Sequence, residues 1–236
     1  MKKYELTTET LQFAGRTLHR IKAVKDFDSI KAGEFGGWIE NEKNLSQDDN
    51  AWIYGDAMVF DNAKIFGNAE VYGNANVSGN ANVSDYAKVY GNANVFGNAK
   101  IFGNAEVYGN ANVFGYAEVY GNANVSDYAN VSGNAEVSGN ANVSDYAKVY
   151  GNAAIKGDAK VHDAVDYIVF KNFWSSGRYF TWTSSNNKWS VGCFYGTGEE
   201  LIKKAYADSE KSGREYERVV RYVESILADE KKEKSD

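Results

Sequence analysis

Between Ala51 and Val161, small and branched apolar residues alternate with outward polar positions in a six-residue unit of the form Ala-x-Val-x-Gly-Asn. Alanine recurs every six residues from Ala51 to Ala159, and the residue two places later is always Val or Ile. Residues two apart share one face of a strand, whereas a helical stripe needs spacings of three and four. Gly and Asn tolerate positive φ and predict a corner after each short strand. A unit this small cannot bury its own apolar face, so the units must stack into a β-solenoid.

The Val-x-Gly-Asn-Ala-x phrase resembles the hexapeptide repeat of left-handed parallel β-helices, in which three hexapeptides form one triangular coil. The resemblance implies a mainly β fold with about six coils over residues 51–165, and a prism about 30 Å long because neighbouring strands lie about 4.8 Å apart. Left-handedness comes from the resemblance alone, since the general rule for parallel crossovers favours the right hand. Another kind of β-solenoid is the alternative.

Residues 1–50 depart from the repeat and predict an N-terminal β cap. Apolar and polar residues alternate on both sides of Ala14-Gly15-Arg16, which indicates a β-hairpin. The open end of a solenoid exposes its bore and unpaired strand edges, and Phe35 and Trp38 supply a bulky lid for it. The segment 33–46, GEFGGWIENEKNLS, resembles the start of YdcK-like β-helix proteins of bacteria and phages. That resemblance implies a scaffold of phage or prophage origin, with no catalytic residue to transfer.

Residues 166–228 predict a C-terminal α+β module, followed by a charged tail at 229–236. Arg178–Thr183 and Lys188–Phe194 indicate a hairpin, and two capping boxes, at Thr197 and Ser212, predict two helices. The string from Val191 to Leu201, with its Gly-Cys-Phe and Gly-Thr-Gly-Glu-Glu segments, resembles a small module recurrent in phage-encoded proteins. The resemblance implies a phage-associated ββαα module, which caps the solenoid or recruits a partner.

The outward positions of the repeat carry the candidate binding residues. Reading every eighteenth residue gives aromatic rows in the first turns and serine in the later ones. We interpret these rows either as stabilising ladders only or as an interface for a homo-oligomer (dimer or trimer) or another partner. Asn76, Asn94, Asn112 and Asn130 form a second kind of row that registers the turns. The candidate binding residues, including three from the C-terminal module, are Tyr54, Tyr72, Tyr90, Tyr108, Phe96, Phe114, Trp174, Arg178 and Trp182.

Composition narrows the possible partners. A net charge of −6 argues against nucleic acid and anionic membranes as bulk electrostatic partners. Single-stranded nucleic-acid or nucleotide binding by the C-terminal aromatic residues remains an alternative. The single cysteine, Cys193, excludes an intrachain disulfide framework, and its place in an alternating strand predicts a buried, inert thiol. We find neither a signal peptide nor an apolar run long enough to span a membrane, and expect a cytoplasmic protein.

Candidate chemistry is sparse. Hexapeptide β-helices include trimeric acyltransferases in which a histidine activates the acceptor, and this chain has only His19 and His162. His162 is the one candidate general base for an acyl-CoA-dependent transferase, although a solvated histidine at the end of a coil is the favoured interpretation. No His/Cys cluster indicates a metal, and no cofactor is expected. The sequence therefore predicts a non-enzymatic scaffold that engages a host protein or a small signalling molecule.

Overall fold

The computed structural model describes residues 2–173 and 177–233, with side chains as far as Asp229. The chain divides into two compact units, one ending at Asp166 and the other beginning at Tyr167. No helix in the described part of the chain is long and apolar enough to cross a membrane.

The first unit opens with an antiparallel hairpin. Strand β1 (Tyr4–Phe13) pairs with β2 (Arg16–Ala23) through a tight turn in which Ala14 and Gly15 both have positive φ. Strand β3 (Phe35–Ile39) pairs antiparallel with β2 on one side, and a 3₁₀ turn follows at Glu42–Asn44. The predicted hairpin is confirmed.

The repeat forms nineteen two-residue strands, β4 to β22, one per hexapeptide. Each strand pairs in parallel with the strand one turn, or eighteen residues, further along, and the strands lie on three faces. In chain order the strands are Trp52–Ile53, Met58–Val59, Lys64–Ile65, Glu70–Val71, Asn76–Val77, Asn82–Val83, Lys88–Val89, Asn94–Val95, Lys100–Ile101, Glu106–Val107, Asn112–Val113, Glu118–Val119, Asn124–Val125, Asn130–Val131, Glu136–Val137, Asn142–Val143, Lys148–Val149, Ala154–Ile155 and Lys160–Val161. A 3₁₀ turn at Ala164–Asp166 ends the unit.

Strands β4 to β22 make six complete turns and one strand of another, and two strand positions before Ala51 bring the solenoid to about seven turns. The sequence predicted about six, and the difference lies upstream of Ala51. Strand β3 pairs in parallel with β5, and Leu45 bridges Ile65 in the same direction. An incomplete first turn thus lies within the segment predicted as the cap, where the hexapeptide phrase is absent but its inward apolar positions are kept. The left-handedness of the coil remains a prediction from the resemblance to hexapeptide-repeat proteins.

The bore of the solenoid is filled by the Ala and Val/Ile columns. Every repeat alanine from Ala51 to Ala159 and every branched residue from Ile53 to Val161 is at most 1% exposed. Backbone N–H groups donate from one turn to the next, as from Glu70 to Ala87 (3.0 Å) and from Tyr72 to Val89 (3.0 Å). A stack of this kind satisfies the backbone within the coil and leaves the outward side chains available for other roles.

The corners between strands explain why the fifth residue of the Ala-x-Val-x-Gly-Asn unit is Gly or, at a few corners, Asp. Gly91 has a φ of +71°, and a Cβ placed on it would lie 3.0 Å from the amide nitrogen of Gly109 in the next turn. Where Asp occupies the corner the backbone relaxes, with φ of +58° at Asp85 and +55° at Asp145. The carboxylate of Asp85 also accepts the N–H of Gly103 at 3.0 Å. Aspartate is therefore tolerated in this left-handed position because it bonds to the turn that it crowds.

We expect Gly91→Ala to lower the free energy of unfolding by about 1–2 kcal/mol, because alanine pays the left-handed penalty and contacts Gly109 without a compensating bond. Gly91→Asp is the matched control, since its carboxylate can repeat the bond made by Asp85. We expect it to cost less than half as much in urea unfolding followed by circular dichroism. Equal losses for both variants would contradict this explanation of the corner.

The second unit packs a four-stranded antiparallel sheet with two helices. The strands are β23 (Tyr167–Lys171), β24 (Tyr179–Thr183), β25 (Lys188–Val191) and β26 (Phe194–Gly196). The helices are α1 (Gly198–Asp208) and α2 (Glu210–Glu233). The predicted hairpin is the β24–β25 pair. The core of the second unit consists of Phe180, Trp182, Trp189, Val191, Leu201, Ile202, Val220 and Val223.

One predicted capping box is confirmed and the other is wrong. Thr197 and Glu200 cap α1 reciprocally, and the backbone bond from Thr197 lowers the pKa of the Glu200 carboxyl. Helix α2 already begins at Glu210, so Ser212 lies within its first turn, where its N–H donates to Ser209 Oγ at 3.1 Å. The helix also extends to Glu233, beyond Asp229, where we expected it to end.

The interpretation of Cys193 as buried is wrong. Gly192, with a φ of +57°, and Cys193 form the turn between β25 and β26, and the cysteine is exposed. Strand β25 ends at Val191, three residues before Phe194, where the alternating pattern placed its end. A glycine in the left-handed region reverses the chain there and turns the thiol outward.

Candidate functional site: a tyrosine edge on the solenoid

One edge of the solenoid carries a tyrosine at six consecutive turns. We name this set the tyrosine edge, and every member directly follows a strand of the seven-stranded face or lies two residues further, at the corner. Its members are Tyr54, Tyr72, Tyr90, Tyr108, Tyr128 and Tyr146.

The rings of the tyrosine edge are stacked. Tyr72 and Tyr90 lie parallel with centroids 4.6 Å apart, and Tyr90 and Tyr108 follow at 4.9 Å. Tyr54 meets Tyr72 edge to face at 6.4 Å. The spacing equals the rise between turns, so the strand pairing sets the stack, and each stacked pair adds about 0.5–1.5 kcal/mol. The predicted ladder of Tyr54, Tyr72, Tyr90 and Tyr108 exists as a packed array.

The last two tyrosines of the edge were missed from the sequence. Every eighteenth residue after Tyr108 is Ser126 and then Ser144, both buried, which suggested that the aromatic surface stops. In both turns the corner Gly-Asn is replaced by Asp-Tyr, and Tyr128 stacks on Tyr146 at 5.3 Å. The phrase Ser-Asp-Tyr was the available signal, because a small residue followed by an aromatic one moves the ring to the corner.

The phenols of Tyr54, Tyr72 and Tyr90 have raised pKa values and remain hydrogen-bond donors over the physiological range. Partial burial raises the pKa of Tyr90, and the bond that its hydroxyl donates to Glu106 Oε2 at 2.8 Å raises it further. Partial burial likewise raises the pKa of Tyr54 and of Tyr72, assisted by Glu70 and Glu106. An array of neutral donors and ring edges suits a protein partner better than a cation or a phosphate.

The other two edges carry shorter aromatic rows. Phe96 stacks on Phe114 at 4.9 Å, as their spacing of eighteen residues predicts, and Phe102 stacks on Tyr120 at 4.7 Å. Phe96 is 40% exposed. These rows are interrupted by serine, so neither presents an aromatic residue at six successive turns. Within the solenoid, the exposed tyrosines that lie away from the tyrosine edge are Tyr86, Tyr116 and Tyr150.

Polar rows register the turns beside the rings. Asn76 donates to Asn94 at 3.3 Å, and Asn94 to Asn112 at 3.2 Å, as expected for the predicted asparagine row. The first oxygen of this row, on Asn76, is buried without a hydrogen bond, because Met58 stands above it in the register. Lys88 pairs with Glu70 at 3.4 Å, one turn away on the seven-stranded face. Such exposed pairs contribute little individually and mainly fix the alignment of turns.

The geometry around His162 lacks the arrangement of a catalytic triad. Ser144 Oγ lies 2.8 Å and Asp145 Oδ2 lies 3.0 Å from the same ring nitrogen, Nδ1. A serine nucleophile and an orienting carboxylate need opposite nitrogens of the ring. His19 places its Nδ1 3.3 Å from the Thr7 carbonyl in the hairpin. Within residues 2–173 and 177–233, no group of three or more His, Cys, Asp and Glu side chains is arranged to hold a metal ion.

The C-terminal candidates occupy different environments. Trp174 lies outside the described residues. Trp182 is 3% exposed and donates its indole N–H to Asn187 Oδ1 at 2.8 Å, so its ring is part of the core of this unit. Arg178 is exposed just before β24 and lines a cavity. A binding role stays a prediction for all three.

No family model matches the chain. A region of the chain is similar to a protein of Escherichia coli (strain K12) named uncharacterized acetyltransferase YdcK, with 39% identity over 62 residues. The match covers 23% of this chain and only 19% of that relative. The solenoid and this match both fit hexapeptide-repeat proteins. The resemblance of the C-terminal module to phage-encoded proteins stays a prediction.

Proposed function

We propose that this chain is a non-enzymatic binding scaffold whose tyrosine edge holds a protein partner, with a second copy of the chain as the first partner to test. The observation that carries the proposal is the presence of a tyrosine at six successive turns of one edge, as a row of four rings and a further stacked pair. The solenoid itself requires only the inward Ala and Val columns and the corners, so it does not explain why aromatic residues persist on this edge after the serine substitutions at Ser126 and Ser144.

Energetics support the use of this array as an interface. Tyrosine is enriched at protein interfaces because it supplies a large contact area for few rotatable bonds. Rings that are already stacked lose little further freedom when a partner covers them. Corner rings such as Tyr146 (72% exposed) and Tyr128 (53% exposed) also leave apolar surface in contact with water.

The test replaces Tyr72, Tyr90 and Tyr108 together by serine, which already occupies the same row at Ser126 and Ser144. We expect the wild-type chain to have the mass of a dimer or trimer in light scattering and native mass spectrometry, and the triple variant to have the mass of a monomer. The loss of two stacked pairs should also lower the free energy of unfolding by about 1–3 kcal/mol. The bore stays intact, because the three substitutions are on outward side chains.

The matched control is the triple variant Tyr86→Ser, Tyr116→Ser and Tyr150→Ser, which removes three tyrosine rings from outside the tyrosine edge. It should keep the wild-type mass. Self-association is contradicted if the wild-type chain is still a monomer at a concentration of about 100 micromolar. That concentration is about a hundredfold above a typical micromolar dissociation constant. Equal dissociation in both triple variants contradicts the assignment of the interface to the tyrosine edge.

An acyl-CoA-dependent transferase is the second candidate, favoured by the partial similarity to YdcK, which is named an acetyltransferase. Against it stands the unbroken succession of strands β4 to β22, which leaves no loop between turns to shape an acceptor site. Acetyl-CoA turnover that disappears in His162→Ala would replace the scaffold proposal. A phage origin and a host protein or small signalling molecule as partner remain part of the proposal and rest on the resemblances alone.

A further inference from the structure

The C-terminal unit contains a cavity of about 290 Å³ that the proposed function does not use. It lies between the residue preceding β24, the β25–β26 turn, helix α1 and the start of α2. The volume is close to the lower end of the range of small-molecule sites, so its occupant would be smaller than a nucleotide.

The base of the cavity is apolar and buried. Val191 is 3% exposed, Leu201 is 1% exposed and Ala205 is 2% exposed, and all three belong to elements whose backbones are held by sheet or helix bonds. Phe194 adds a ring beside them. A preformed apolar surface of this kind binds an aliphatic or aromatic body without reorganising the unit.

The rim of the cavity carries two cations and one anion. Arg178 lies against the β25–β26 turn, with its Cδ 3.5 Å from the position that a Cβ on Gly192 would occupy. Lys204 holds its ammonium 6.0 Å from the centroid of the Phe194 ring, and Asp208 lies one turn further along α1. The lining charges therefore sum to about +1, which favours a singly charged carboxylate over a doubly charged phosphate.

We propose that this cavity binds a small organic monoanion, an aromatic or branched aliphatic carboxylate. Its apolar body packs on Phe194 and Tyr216, the half-buried rings that line the cavity beside its apolar base, and its carboxylate pairs with Arg178 and Lys204. A guanidinium matches the two oxygens of a carboxylate, while the lysine adds a point charge. The proposal is independent of the tyrosine edge, which belongs to the other unit of the chain.

The test titrates the full chain with benzoate and with cyclohexanecarboxylate by calorimetry and by protein NMR. Benzamide and cyclohexanemethanol serve as uncharged isosteres, and inorganic phosphate serves as an anion without an apolar body. Cys193 lines the cavity and is exposed, so the rate at which its thiol reacts with a chromogenic disulfide gives a second readout. We expect saturable benzoate binding that slows the thiol reaction at least threefold.

Variants locate the charge that recognises the ligand. Arg178→Ala and Lys204→Ala should each weaken benzoate binding about tenfold, whereas Lys203→Ala, an exposed neighbour on α1 that does not line the cavity, should not. Both rim residues are exposed, and thermal melts check that each variant folds. If Arg178→Ala fails to fold, Lys204→Ala and thiol protection in the wild-type chain still decide. Absence of saturable binding, equal binding of benzamide, or equal binding of phosphate overturns the proposal.

Discussion

Val83→Asp is expected to unfold the solenoid unit or to destabilise it by at least about 4 kcal/mol. Val83 is fully buried in the bore, in the middle of a three-strand stretch that runs from Ile65 through Val83 to Ile101. A carboxylate at this position has only the Ala and Val columns around it, and an isolated buried charge costs several kcal/mol even when it escapes part of the penalty by protonation.

The adjacent outward residue supplies the control for Val83. Asn82→Asp introduces the same charge one residue earlier, where Lys64 and Lys100 flank it in the register on either side. It loses the bond from its amide to the Asn80 carbonyl but gains two opposite charges, so the net change should stay within about 1 kcal/mol. Circular dichroism and chemical unfolding measure both variants. A similar unfolding midpoint for the two would show that the bore is less tightly packed than described.

The first unit should become more stable as the pH rises from about 8 towards 10. Lys3 is 1% exposed, and its ammonium donates to the carbonyls of Asp49 (2.9 Å) and Ala51 (2.8 Å). Burial lowers the pKa of Lys3 to about 8, although Asp49 opposes the change. Between this pKa and the ordinary value of 10.5, the unfolded chain binds the extra proton. Stability therefore rises with pH, by at most about 1.4 kcal/mol per pH unit and about 3 kcal/mol in total.

Tyrosines set the upper limit of that pH window. Burial raises the pKa of Tyr4 and of Tyr90, so above pH 10 the folded chain retains protons that the unfolded chain loses, and stability falls again. Lys3→Met should remove the rise between pH 8 and 10, whereas Lys2→Met, an exposed lysine paired with Glu42, should leave it unchanged. Urea unfolding at half-unit steps of pH measures both. An unaltered slope in Lys3→Met would assign the rise to other groups.

The edge tyrosines show how far periodic reasoning reaches. A period of eighteen places Tyr72, Tyr90 and Tyr108 above one another, and the stack follows because parallel pairing repeats every side chain at the strand spacing. The same reading lost Tyr128 and Tyr146, because it followed one column and those rings occupy the corner two residues later. The position after each strand and the corner position two residues later together contain all six members of the tyrosine edge.

The segments on either side of the repeat have no period from which their structure could be predicted. The position of Cys193 depended on where strand β25 stops, which the left-handed φ of Gly192 decides and which no alternation of apolar residues reveals. The start of α2 at Glu210 was equally hidden, because Ser209 and Ser212 both satisfy the chemistry of a cap. The extra turn at β3 escaped detection because Gly36 and Gly37 replace the repeat phrase.

By itself the sequence determined the solenoid, its inward columns and the stacked rows, because strict repetition makes every contact a contact between equivalent residues. Tertiary structure alone decided what lies between residues distant in the chain and unrelated by the repeat. It buried Lys3 against the carbonyls of Asp49 and Ala51, and it brought Arg178 to the same cavity as Lys204 and Asp208. Such groupings depend on how non-equivalent segments pack, for which a single sequence carries no period to read.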